Sequence, residues 1–95
     1  MTTAMRAEWE GRFLAGLQEE WEIARWLLPR QHATNLRPPT FALSDAETTW
    51  GGWLGEQREL HIGRKLVWEH PWYAVVDVLR HEMAHQVAHE ILAGR

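Results

Sequence analysis

Apolar residues recur every three or four positions over the first part of the chain, between Met5 and Leu28. The apolar positions are Met5, Trp9, Phe13, Leu17, Trp21, Ala24 and Leu28, and charged residues occupy many of the positions between them. This period is typical of an amphipathic helix that buries one stripe of side chains. Pro29 should end the helix, because proline lacks an N–H and disfavours helical geometry at the residue before it.

The pattern then changes to one that favours strands. Residues 29–40 carry three prolines and are expected to form a connector. Short β-favouring segments follow at residues 40–43, 48–54 and 59–63. We expect a small three-stranded antiparallel sheet, a meander, in which Gly51, Gly52 and Gly55 mark a bulge or a close approach of the backbone.

The last segment, from Trp72 to about Leu92, predicts a second long helix that begins after a proline turn. Its main apolar side carries Trp72, Val75, Val76, Leu79, Met83 and Val87. His81 and His85 fall on the opposite side, among further apolar residues. A helix that is apolar on nearly every side is usually buried from both directions, so we expect the two histidines on a wall of an interior cleft.

The composition limits the class of protein. A chain of 95 residues can bury one modest core, so we expect a single α+β domain over residues 1–95. The net charge of −3 provides no basic surface for direct binding of nucleic acid. No apolar run is long enough for a membrane span and the N-terminus does not resemble a signal peptide, so we expect a cytoplasmic protein. The seven tryptophans are expected mainly to pack the core, since stacking on a ligand would need several exposed on one face.

His81, Glu82 and His85 form the pattern HExxH on the predicted C-terminal helix. Two histidines four residues apart are separated by about 40° around the helix and about 6 Å along it, so both imidazoles can bind one ion. Glu82 is rotated by about 100° from His81, and is better placed to exchange a proton with water than to bind the metal. Without cysteine, a metal must be bound by histidine nitrogen and carboxylate oxygen. We predict zinc bound by His81 and His85, with Glu82 as the general base of peptide hydrolysis.

Other side chains could complete or support such a site. His89 lies about 80° around and about 12 Å along the helix from His81, so a straight helix cannot bring all three rings to one ion. We expect His89 to be peripheral, with ligation through a broken helix end as the alternative. Asp77 is either a hydrogen-bond acceptor for a ligand imidazole or a solvent-facing carboxylate. Further possible donors are His32, His61 and His70.

The segment RHEMAHQV, with the order of elements before it, resembles the SprT-like family of zinc metallopeptidases. The likeness covers most of the chain, including FALSDAETTWGGWLGEQRELHIGRKLV for the sheet and WYAVVDVLRHEMAHQVAHEIL for the active-site helix. It implies a zincin-like fold, zinc ligands at His81 and His85, a general base at Glu82, and a peptide or protein substrate. The family usually takes its third zinc ligand from a histidine in an HG-x-x-F type segment beyond this helix. Residues 1–95 lack that segment, so we expect the domain to be incomplete at its C-terminal end.

The sequence leaves three functions open. The leading hypothesis is a zinc-dependent metallopeptidase, active if a third ligand is supplied. The alternative is a non-catalytic metal-binding or interaction module that retains the fold, and the third is a structural domain without metal. The pattern gives neither the substrate, nor any dependence on DNA, nor the oligomeric state.

Overall fold

The structure, a computed structural model, describes residues 1–93 and confirms the predicted α+β class. In chain order the elements are α1 (Thr3–Arg25), α2 (Arg30–Ala33), β1 (Thr40–Ser44), β2 (Gly51–Leu54), β3 (Glu59–Gly63), α3 (Arg64–Glu69), α4 (Trp72–Val87) and a π-helical segment (Ala88–Leu92). α2 and α3 were not predicted. No helix within residues 1–93 has both the length and the apolar character needed to cross a membrane.

α1 begins at a capped end and ends earlier than predicted. The Thr2 hydroxyl accepts a hydrogen bond from the Met5 N–H at 3.1 Å, which satisfies a free donor of the first turn. The helix ends at Arg25 and not at Leu28, because the residue before Pro29 is held away from helical geometry. The chain leaves through a tight turn in which the Leu28 N–H donates to the Arg25 carbonyl at 3.1 Å.

Only the C-terminal half of the apolar stripe on α1 is fully buried. Leu17, Trp21 and Ala24 are buried, because this half packs on α4 and β1. Met5 and Trp9 are exposed, which corrects the prediction of one continuous buried stripe. The expectation that tryptophans fill the core is also wrong in part, since Trp9, Trp26, Trp50 and Trp72 are exposed.

The sheet is mixed, and the predicted antiparallel meander is wrong. The strand order is β1-β3-β2, with β1 parallel and β2 antiparallel to the central β3. β3 takes the centre because Leu60 and Ile62 are fully buried and pair with Phe41 and Leu43 of β1. A meander would have placed the glycine-rich β2 in the centre, where glycine contributes no side chain to the core.

The core lies between one face of the sheet and the helices α1 and α4. Its buried residues are Leu17, Trp21, Ala24, Leu36, Leu60, Ile62, Leu66, Val67, Val75, Leu79, Met83 and Ile91. Two polar side chains of α4, Glu82 and Gln86, are buried beside them. Gln86 is fully buried and accepts a hydrogen bond from Trp21 Nε1 at 2.9 Å, so α1 and α4 are joined through the core.

Replacing Trp21 by phenylalanine should lower the free energy of unfolding by about 1–3 kcal/mol, because it leaves the buried Gln86 oxygen without its donor. Trp26→Phe is the matched control, since Trp26 is 58% exposed, and it should change stability by less than about 0.5 kcal/mol. Urea denaturation of both variants measures the difference. Equal effects of the two substitutions would contradict the role given to the Trp21 indole.

Candidate active site

His81 and His85 stand side by side on one face of α4. Their ring centroids are 5.0 Å apart and the ring planes are inclined at 81°. Two imidazoles on one tetrahedral zinc ion, with zinc–nitrogen distances of about 2.0–2.1 Å, have centroids about 5 Å apart. The separation of the two rings therefore fits a shared zinc ion.

Both histidines are exposed, which corrects the prediction of an interior cleft. Two other polar residues of the helix point inward: Glu82 is 8% exposed and Gln86 is fully buried. Ala84, between the two histidines in the sequence, is also exposed. The HExxH sequence thus places two exposed imidazoles around one buried carboxylate.

Glu82 lies where α4 approaches β2. Glu82 and His85 line a shallow concavity of about 540 Å³, together with Trp53, Ala88, His89 and Ala93. Solvent reaches this concavity from outside, whereas Glu82 is largely covered. A carboxylate in this position can exchange a proton with a water molecule in the concavity.

The glycines around β2 allow the strand to approach the helix. A Cβ on Gly51 would lie 2.8 Å from Val78 Cγ1 and 3.2 Å from Glu82 Cγ, and a Cβ on Gly55 would lie 2.5 Å from His89 Cε1. Gly52 faces the other way, and a Cβ there would meet no atom within 4 Å. The expected close backbone approach is confirmed at Gly51 and Gly55, which lie opposite α4 and the π-helical segment.

His89 does not stand with the other two histidines. It lies in the π-helical segment and accepts a hydrogen bond at Nδ1 from Trp53 Nε1, at 3.3 Å. Among residues 1–93, no group of three or more histidine, aspartate and glutamate side chains is arranged to hold a metal ion. The described residues therefore bring together two imidazoles and leave His89 beside them.

The other predicted donors lie elsewhere. His61 pairs with Glu59 at 3.2 Å, and strand alternation places it on the sheet face opposite the buried Leu60 and Ile62. The ring of His70 packs edge-on against Trp50, with centroids 5.0 Å apart.

His32 and Asp77 also stand apart from the paired imidazoles. His32 has a buried Nδ1 without a hydrogen-bond partner. Asp77 is exposed, and in the described part of the chain no hydrogen bond joins it to His81. Of the two alternatives for Asp77, the structure favours the solvent-facing carboxylate.

A buried polar network that the sequence analysis missed anchors the end of α4. The Gln86 amide donates to the Arg37 carbonyl at 3.1 Å and to Glu90 at 3.0 Å. Arg58, in the turn between β2 and β3, forms a two-pronged ion pair with Glu90, at 2.5 and 2.7 Å. The four-residue spacing of Gln86 and Glu90 on a largely apolar helix could have indicated that the two side chains interact.

The ion pair changes the acidity of Glu90. Hydrogen bonding from the Arg58 guanidinium lowers the pKa of the Glu90 carboxyl below its usual value, although burial acts in the opposite direction. The Gln86 amide lowers this pKa further. Glu90 is therefore a charged anchor at neutral pH.

In comparisons with known proteins, no family model, no curated protein sequence and no solved structure matches this chain.

Substituting Gly51 by alanine should destabilise the fold by about 1–3 kcal/mol, because the new Cβ would lie 2.9 Å from the His61 carbonyl oxygen, which cannot move freely. Gly52→Ala is the control and should cost less than about 0.5 kcal/mol, since the space beside Gly52 is open. Thermal unfolding of both variants tests this. A Gly51→Ala variant as stable as Gly52→Ala would contradict the close approach of β2 to α4.

The Glu90 ion pair should make stability depend on pH. The pKa of the Glu90 carboxyl is lower in the folded chain than in the unfolded chain. The contribution of the ion pair to the free energy of unfolding is therefore complete above the unfolded-state pKa of about 4.3, and is lost as the pH falls through the folded-state pKa. The free energy of unfolding should therefore fall more steeply below about pH 5 in the native chain than in Glu90→Gln. Glu19→Gln, at an exposed position of α1, should follow the native chain. Parallel pH profiles for the native chain and Glu90→Gln would refute the prediction.

Proposed function

We propose that the chain is a zinc-dependent metallopeptidase domain of the SprT-like type. The observation that carries this proposal is the pair of imidazoles, His81 and His85, with centroids 5.0 Å apart and the buried Glu82 between them in the sequence. Their separation suits one zinc ion, and the carboxylate reaches the same concavity as His85. The proposal assigns two zinc ligands and one general base.

The chemistry of the site follows from what each residue can do. A bound zinc ion would supply Lewis acidity, which lowers the pKa of a water molecule and polarises a peptide carbonyl. Glu82 would accept a proton from the attacking water and return it to the leaving amine. Gly51 keeps Glu82 in position, because the backbone of β2 lies against the Glu82 side chain. The concavity beside His85 would receive the peptide.

The third zinc ligand is not among the residues assigned here. The likeness to the SprT-like family implies a histidine followed by glycine, in a segment beyond the active-site helix. Residues 1–95 contain no histidine-glycine pair. Hydrolysis therefore depends on a third ligand, supplied by a further segment, another chain or another histidine.

A second candidate function is a non-catalytic metal-binding or interaction module. It is favoured by the exposure of both imidazoles, which leaves them accessible to an ion or a partner from solvent. Such a module would bind zinc more weakly and would not use Glu82 as a base.

Zinc titration of the full chain should give about one ion per chain, and His81→Ala or His85→Ala should raise the Kd by about tenfold or more, since even loss of a supporting residue costs that much. Glu82→Gln should leave the zinc Kd unchanged and, once the third ligand is supplied, reduce peptide hydrolysis by about 10²–10⁴-fold, the usual contribution of a general base.

His70→Ala is the control, because His70 packs on Trp50 and belongs to no part of the site. It should change neither zinc binding nor hydrolysis. Zinc retention with no hydrolysis of any peptide, once the third ligand is supplied, would favour the non-catalytic module. A native chain that binds no zinc would exclude both candidates.

A further inference from the structure

The hydrogen bond from Trp53 determines the protonation pattern of His89. An indole N–H is a donor only, and Trp53 Nε1 donates to His89 Nδ1 over 3.3 Å. Nδ1 must therefore be the unprotonated nitrogen, and a neutral imidazole in this state carries its proton on Nε2.

In this arrangement neither ring nitrogen of His89 offers a free lone pair to a zinc ion. The lone pair of Nδ1 is engaged by Trp53, and a protonated Nε2 has no lone pair to give to a metal. What remains is a hydrogen-bond donor, Nε2–H. Within the described part of the chain this donor has no protein partner.

Three contacts of neighbouring residues fix the position of His89. Glu90, the next residue, is bound to Arg58, and Ile91 is 5% exposed in the core. The Ala93 N–H donates to the Ala88 carbonyl at 2.8 Å, which is the wider turn of a π-helix. This turn directs the His89 ring towards Gly55, whose missing side chain provides the space.

We infer that His89 is a substrate-binding residue, whose Nε2–H donates to a backbone carbonyl of a bound peptide. The inference rests on the proposed peptidase function and names a further residue of the same site. His89 lines the concavity with Glu82 and His85, so a peptide that reaches the carboxylate passes the imidazole. Peptide carbonyls are acceptors, which matches a fixed donor that has no acceptor of its own in the described chain.

The test uses the full chain in a Glu82→Gln background, so that a peptide binds without being cleaved. The probe is an alanine-rich peptide blocked at both ends, titrated with zinc present. His89→Ala should weaken peptide binding by about threefold to tenfold, the value of one hydrogen bond, and His89→Gln, which keeps an N–H donor, should restore it to within about twofold. The zinc Kd should stay within about twofold in both variants.

Two further measurements separate this role from a structural one. Gly55→Ala should weaken peptide binding as His89→Ala does, because it displaces the intact ring, whereas Gly52→Ala should not. Nitrogen NMR of the imidazoles at pH 8 should find the His89 proton on Nε2, and circular dichroism should report a folded chain for each variant.

The outcomes distinguish the inference from the proposed function. A zinc Kd that is tenfold higher in His89→Ala would identify His89 as a zinc ligand. This result would overturn the inference, while the peptidase proposal would stand. Peptide binding that is undetectable, or unchanged in His89→Ala, would overturn it as well, and so would a proton on Nδ1. A native chain without zinc affinity would instead overturn the proposed function.

Discussion

The side chain of Gln86 joins three parts of the chain inside the core. It accepts a hydrogen bond from Trp21 of α1, donates to the Arg37 carbonyl in the connector before the sheet, and donates to Glu90 in the π-helical segment. A fully buried amide is stable only when its oxygen and nitrogen have partners. These hydrogen bonds, together with the buried apolar residues of α4, determine how the helix is rotated about its axis.

That rotation decides what the HExxH residues face. Gln86 lies four residues after Glu82, so both point inward on the same face of α4, and both are buried. His81 and His85, each one residue earlier, are carried outward to the exposed face. The buried network thus explains why the carboxylate is covered while the imidazoles remain accessible to an ion from solvent.

The second constraint is the close approach of β2 to α4. Gly51 lies against Glu82, and Gly55 lies against His89, so the strand and the helix together form the concavity. Trp53, between the two glycines, points towards the same helix and binds His89. In the segment WGGWLG, Gly51 and Gly55 therefore leave space for the helical side chains, and the Trp53 indole N–H binds His89.

The two long helices and the pairing of His81 with His85 could be predicted from the sequence, because they depend on local periodicity along a helix. The α+β class could be predicted as well, since β-favouring segments lie between the helices. The sequence also indicated that the glycines in and after β2 mark either a bulge or a close approach of the backbone. The mixed strand order depended on the tertiary structure, since burial of Leu60 and Ile62 in the central strand outweighs sequence adjacency. The exposure of the imidazoles also depends on the tertiary structure, because the long-range contact with Trp21 helps to set the rotation of α4. The contact of His89 with Trp53 depends on it as well, because contacts with Arg58 and Gly55 position the π-helical segment.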